Sequence, residues 1–277
     1  GLQAGDILEQ INDTPVDGMS LNDVVGLIKG ADGAFTMKVY RPTADEEFSF
    51  EIECGEVKVP AVTYKMLEDG IGYIRLNEFT EVAVGQFVDA AEMLEDQGMQ
   101  KLIVDLRDNP GGLLTSVCDI LDEVLPEGLL VYTEDKDGNR EEYNSDRMRT
   151  VYCELAVLVN ENSASASEIF AGAIQDHGAG TIIGTKTYGK GIVQKTFPLS
   201  DGSAFKMTVE KYYTPLGQDI NGNGITPDII VDNEEKNVVS GGESGASVSG
   251  DGENIDEASD PVLKKALKVL REKIAEH

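Results

Sequence analysis

The sequence predicts an α/β protein in which helices are layered on a sheet, with a smaller β-rich unit ahead of it. Two observations carry this. From GIGYIRLNEF onward, apolar runs of strand length alternate with segments of helical period, which is the pattern of an α/β layer architecture. Before that point, residues 1–56 show only short strands, turns and one helix.

Within residues 1–56, DILEQI reads as a strand, NDTPVDG as a turn, LNDVVGLIKG as a helix, and AFTMKVYR as a strand with period-two alternation, followed by the strand FSFEIECG. In residues 57–231, VGQFVDAAEMLED is a helix, KLIVDLRD a buried strand, GLLTSVCDILDEVL a helix and ELAVLVN a second buried strand. SASEIFAGAIQDHG is then a helix that stops near Gly178, and GTIIGT and SAFKMTVEKYYTP are strands. Asp137-Gly138 marks a hairpin turn between GLLVYTED and REEYN. Residues 232–260 are acidic and Gly/Ser-rich, too poor in apolar surface to offset ordering entropy, and are expected to be a disordered linker. Residues 261–277 follow as an amphipathic helix. Asp260 suits its N-cap and Pro261 its first position, and the apolar stripe Leu263, Leu267, Leu270 and Ile274 needs a surface to dock on.

The chain has 277 residues, room for one large domain or two modest ones. With 23 basic against 51 acidic residues its net charge is −28, so phosphate backbones and anionic lipid are repelled and no nucleic-acid partner is expected. There is no apolar run of the roughly eighteen residues a membrane span needs and no signal segment. Because the chain opens at GLQAGD, any targeting segment or membrane tether is expected upstream. Cys54, Cys118 and Cys153 are scattered without metal-ligand spacing and read as free structural thiols. Asp219-Ile220-Asn221-Gly222-Asn223-Gly224 imitates the start of a calcium loop, but Ile230 stands at position twelve, where a bidentate glutamate is needed. No metal or organic cofactor is implied.

ENSASASEIFAG, residues 161–172, carries three serines, and the residues alone allow two readings. Ser165 to Glu168 fits a capping box, and Ser163 could cap the helix by itself. Alternatively, a strand delivers a nucleophilic serine to a helix N-terminus, where free amides and the helix dipole stabilise developing negative charge. Such a serine needs a base. His277 is the last residue, and His177 follows Ser165 by twelve residues on the same helix, about 18 Å away. The remaining bases are lysines, and TKTYGKGIVQ offers Lys186 and Lys190, the latter between two glycines. A contact from Lys190 to Gln194 would require a bend, since four residues of extended strand span about 13 Å. The glycines of LRDNPGGLL are either a turn or the exposed amides of an oxyanion hole.

Taken in order, GLQAGDILEQIN, LIVDLRDNPGGLL, VLVNENSASASEIFAGAIQD, GTKTYGKGIVQ and KYYTPLGQDINGNGITPDIIV resemble the C-terminal processing peptidases, or tail-specific proteases, over nearly the whole chain. The resemblance implies a Ser/Lys serine protease with Ser165 as nucleophile, Lys190 as general base and Gln194 as its orienting partner. It implies an oxyanion hole made by the Ala166 amide and that of Gly111 or Gly112. It further implies a crotonase- or Clp-protease-like mixed α/β core over residues 57–231. The first 42 or so residues resemble the later part of a PDZ domain, whose first strand and carboxylate-binding loop should precede GLQAGD. The implied activity is endoproteolysis near unstructured, apolar C-terminal tails of protein substrates, without a cofactor, outside the cytoplasmic membrane in the periplasm or cell envelope. Oligomeric state is not indicated. The rival readings are a non-catalytic PDZ-type peptide-binding or scaffolding protein, and a crotonase-type acyl-CoA enzyme, which the charge and the missing basic nucleotide pocket disfavour.

Overall fold

The computed structural model describes residues 1–3, 5–31, 33–53, 60–146, 151–231 and 260–272. The linker expected over residues 232–260 lies outside these apart from Asp260, as do Cys54, Ile274 and His277. Two units are distinguished by their packing, one within residues 1–59 and one from Pro60 onward.

In the first unit, β1 (Ile7–Ile11), β2 (Thr14–Pro15), β3 (Ala34–Arg41) and β4 (Glu46–Glu53) form an antiparallel sheet in the order β2-β1-β3-β4, with α1 at Leu21–Lys29. The segment expected to be only a turn adds β2, because Asn12 at φ 49° reverses the chain tightly enough for Thr14 to pair with Ile11. Ile11, Val16 and Phe35 form the core, with Val24, Leu27 and Ile28 of α1 packed on it. Ser20 caps α1 by accepting from the Asp23 amide at 3.3 Å.

The second unit comprises β5 (Val62–Met66), β6 (Ile71–Leu76), α2 (Ala83–Asp96), β7 (Lys101–Asp105), α3 (Leu114–Val124), β8 (Gly128–Asp135) and β9 (Arg140–Ser145). It continues through β10 (Glu154–Val159), α4 (Ala166–Asp176), β11 (Gly180–Gly184), β12 (Ile192–Pro198), β13 (Ala204–Tyr213), β14 (Ile229–Ile230) and α5 (Pro261–Glu272). The central sheet runs β14-β11-β10-β7-β6-β5, parallel except for the antiparallel β5/β6 edge. A second, antiparallel sheet runs β12-β13-β8-β9, and Gly138 turns the expected β8/β9 hairpin at φ 83°. β5 and β12 escape sequence reading because they bury few residues, and β14 is two residues long.

Strand periodicity sorts the central sheet into two faces. Leu102, Val104 and Leu106 share one core with Leu155, Val157, Val159 and the helices α2, α3 and α4. Ile103, Ala156, Leu158, Ile71 and Tyr73 face the other way, onto Val262, Leu263, Ala266, Leu267 and Leu270 of α5. The terminal helix thus docks on the back of the sheet.

Both ends of α5 are gripped from β7. Lys101, 7% exposed, donates to the Leu270 carbonyl, and beyond the strand's other end Arg107 pairs with Asp260 at 2.7 Å. Asp260 caps the helix as expected, its Oδ1 accepting the Val262 and Leu263 amides at 3.0 Å each. Fully buried Asp105 accepts the Tyr73 hydroxyl at 2.7 Å and the Arg107 guanidinium at 2.6 Å. Burial works against the charge on Arg107, but its hydrogen bonds to Asp105 outweigh that and hold its pKa above the ordinary value.

Candidate active site

β10 ends at Val159 and the turn that follows presents Ser165 at the N-terminus of α4. Ser165 adopts φ 57° and ψ −114°, a backbone region ordinarily left to glycine. Strain of this kind persists only where its surroundings over-determine it, and here they do. Ser163 Oγ donates to the Leu106 carbonyl at 2.8 Å, Ser167 Oγ to the Asn109 carbonyl at 3.0 Å, and the Ala164 amide to that same carbonyl at 3.1 Å. The two outer serines tie the helix start to the loop after β7, and both are fully buried; Ser165 is only half-buried.

Both sides of the capping box are present. Glu168 Oε2 accepts the Ser165 amide at 2.8 Å. The Ser165 hydroxyl faces the Glu168 amide but makes no full capping bond, and that amide donates to the Ser165 carbonyl at 2.9 Å. Among the described residues no other group engages the hydroxyl.

The two glycines of the loop do different work. Gly111 sits against Ser165: a β-carbon there would lie 2.8 Å from Ser165 Cβ and 2.9 Å from the Ala166 amide nitrogen. Its own amide is committed to Asn109 Oδ1 at 2.8 Å. Gly112 bridges to Phe79, whose carbonyl accepts the Leu113 amide at 2.7 Å. Among the described residues the Gly112 amide has no partner, and the Ala166 amide, first in the helix, has none either. Gly112 also borders a cavity of about 420 Å³ lined by Phe79, Val82 and Leu113, with Glu78, Thr80 and Glu81 completing its wall.

Lys190 lies on the loop that leads into β12. Glu168, fully buried, reaches this loop as well: Oε1 accepts the Thr187 hydroxyl at 2.7 Å and the Gly189 amide at 2.6 Å, and Oε2 accepts the Lys190 amide at 2.8 Å. The 219–224 segment packs against this loop. The Gly222 amide donates to the Gly189 carbonyl at 2.9 Å, and a β-carbon on Gly191 would fall 2.4 Å from the Asn221 amide nitrogen. Glycine at 191 is thus a close-approach requirement.

The Lys190 side chain is exposed, and among the described residues no hydrogen bond joins its Nζ to Ser165 Oγ. Gln194 is exposed on β12 opposite Thr208, just after a bulge, and makes no hydrogen bond to Lys190. The structure brings the backbones of Ser165 and Lys190 together but leaves Gln194 off the lysine. His177 caps the far end of α4, its Nε2 2.7 Å from the Leu129 carbonyl, so it is remote from Ser165 as the spacing requires. Among the described residues no cluster of three His, Cys, Asp or Glu side chains is placed to hold a metal, and no helix is long and apolar enough to cross a membrane. Sequence reading assigned Glu168 to a cap and missed its grip on the lysine loop. The only sequence signal, S-x-x-E, points to the serine side alone.

Residues 70–231 match peptidase family S41. The chain belongs to that family. Residues 1–41 match a PDZ domain, so this S41 protein carries PDZ sequence ahead of its peptidase core. The carboxy-terminal-processing protease of Bartonella bacilliformis is 38% identical over 239 residues, which are 84% of this chain and 55% of that protein. The carboxyl-terminal-processing protease of Picosynechococcus is 36% identical over 238 residues, 84% of this chain and 58% of that one. The S41 chain thus spans little more than half the length of these relatives. Among solved structures, a photosystem II D1 C-terminal processing protease aligns with a TM-score of 0.60 at 33% identity, covering 84% of this chain and 64% of that one. A putative S41 protease from Bacteroides fragilis, at 18% identity and a TM-score of 0.57, shares the mixed α/β fold.

Proposed function

We propose that this chain is the catalytic part of a serine endopeptidase that cleaves protein substrates near C-terminal tails. Ser165 is the nucleophile, Lys190 the general base, and the Ala166 and Gly112 amides the oxyanion hole. The observation that carries the reading is the strained Ser165 at the start of α4, with the unpaired Ala166 amide next to it, the Gly111-Gly112 loop packed against it through Gly111, and the Lys190 loop tethered to the same glutamate. Gly112 is preferred over Gly111 because the Gly111 amide is already spent on Asn109.

In the reaction, Lys190 Nζ, as the neutral amine, takes the Ser165 proton as Oγ bonds to the scissile carbonyl carbon. The carbonyl oxygen takes up the negative charge and is held by the two amides. As the intermediate collapses, the C–N bond breaks and Lys190 returns the proton to the departing amine, leaving an acyl-enzyme. Water then gives a proton to Lys190 and its oxygen bonds to the acyl carbon. The acid product leaves, and Ser165 recovers its proton. Gln194 would orient Lys190 once substrate is bound, which requires the β12 edge to move its amide onto the lysine.

The cavity beside Gly112, walled by Phe79, Val82 and Leu113, supports a preference for apolar residues next to the cleaved bond. The negative charge and the PDZ sequence are compatible with unfolded protein substrates presented outside the cytoplasmic membrane. Ser165→Ala should abolish both turnover of an unfolded protein with an apolar tail and the adduct formed with a fluorophosphonate probe, whereas Lys190→Ala should lower turnover about 10²–10⁴-fold and keep the adduct. Wild-type-like cleavage by either variant would sink the mechanism.

A further inference from the structure

Glu168 is a fully buried carboxylate at the third position of α4. A cap needs it to accept one amide. It accepts four donors instead, two on each oxygen: Thr187 Oγ1 and the Gly189 amide on Oε1, and the Ser165 and Lys190 amides on Oε2. All four acceptor positions of the carboxylate are filled, and none of the donors belongs to the interior of α4. Two bonds of 2.8 Å to one oxygen hold the Ser165 and Lys190 amide nitrogens within about 5.6 Å of each other, twice that distance.

We propose that Glu168 is a positioning residue for the catalytic pair: its carboxylate fixes the backbone of the nucleophile and the backbone of the base to a single oxygen, and so sets the distance their side chains must cover. The proposal rests on the Ser/Lys reading above. It explains why the anchor is a carboxylate. Four donors converge, and only a group with two acceptor oxygens and no hydrogen of its own satisfies them all. Glutamine would turn an N–H₂ towards two donors. Aspartate is one methylene too short to span from the helix to the loop. Thr187 extends the device, since its hydroxyl donates to Glu168 and accepts the Ile225 amide at 2.7 Å, linking the anchor to the segment after the 219–224 loop.

The test compares Glu168→Gln, Lys190→Ala and the double variant, using an unfolded casein for turnover and a fluorophosphonate for Ser165 reactivity against pH. Glu168→Gln should lower kcat about 100-fold, the low end of what a positioned general base contributes, with KM within about twofold. Its fluorophosphonate labelling should lose the rise with pH that a lysine base produces, and the double variant should be no slower than Lys190→Ala alone. Wild-type kcat in folded Glu168→Gln, or losses that multiply in the double variant, would overturn the proposal, because a fold-supporting residue acts independently of the base. If Glu168→Gln does not fold, Thr187→Val and Thr187→Ser decide in its place. Serine should keep activity, and the valine loss should vanish in the Lys190→Ala background; a valine loss that persists there, or none at all, overturns the proposal. Should Ser165→Ala still cleave, it is the Ser/Lys reading that falls.

Discussion

Gly111 stands directly against Ser165, so close that a β-carbon on the glycine would lie 2.8 Å from the serine's own. Gly111→Ala should therefore remove activity as well as stability. The φ of +104° is strained for any L-residue, and the added methyl would meet the Ala164 carbonyl at 2.7 Å. Gly98 is the control, with φ +88° and open space around it. Gly98→Ala should cost about 1–3 kcal/mol of strain and leave kcat untouched. Urea unfolding and turnover of both variants would separate strain from collision, and an active Gly111→Ala would mean that this contact does not shape the site.

Ser165 is expected to trade stability for function. Ser165→Gly should raise stability by about 1 kcal/mol, because relief of about 1–3 kcal/mol of backbone strain exceeds the 0.5–1 kcal/mol entropic cost of glycine. Ser165→Ala should show no such gain, while both variants are inactive. Equal melting temperatures for the two would show that the φ of 57° is not strained here.

Asp260 performs two separable tasks, capping α5 and pairing with Arg107. Asp260→Asn keeps a good cap and loses the ion pair, whereas Asp260→Ala loses both. The alanine variant should be the less stable by a further 0.5–2 kcal/mol or about that. Leu263→Ala, which opens a cavity under the fully buried face of the helix, should cost about 2–5 kcal/mol. Chemical denaturation ranks the three, and a reversed order would contradict the docking of this helix.

Cys118 gives a pH signature. Burial, and secondarily the charge of Asp119, push its thiol from 9.0 up to about 12. Between those values the unfolded chain releases a proton that the folded chain retains, so unfolding is favoured increasingly as pH rises from about 9 towards 12. Melting temperature measured from pH 8 upward should fall more steeply for wild type than for Cys118→Ala. Parallel curves, or fast alkylation of Cys118 by iodoacetamide at pH 8, would refute this.

Much of the fold is legible in the sequence because periodicity reports burial. KLIVDLRD and ELAVLVN declare themselves as interior strands, and α5 shows its docking stripe plainly. β12 does not, since an exposed edge strand such as IVQKTFP carries little pattern. At the site, the order of motifs singles out Ser165 and Lys190, but the choice between Gly111 and Gly112 needed to know which amide Asn109 had taken. Glu168 was half legible. Its reach to Ser165 follows from helix geometry, but its reach to Thr187, Gly189 and Lys190 depends on a loop that returns only after β11.

The clasp between β7 and α5 also fixes an order of assembly. Lys101 and Leu270 are 169 residues apart in the chain, and Arg271 bonds Asp69 across 202. During synthesis the strand that carries Lys101 and Asp105 emerges long before the helix that covers it. Until α5 arrives, the rear of the sheet exposes Ile103, Ala156 and Leu158 to water, and Lys101 and Arg107 lack the bonds they make to the helix. Contacts this distant form slowly. A chain interrupted between β14 and α5 would have every motif of the front face and an unsealed back, so α5 is the helix that completes the sheet on which the candidate site is mounted.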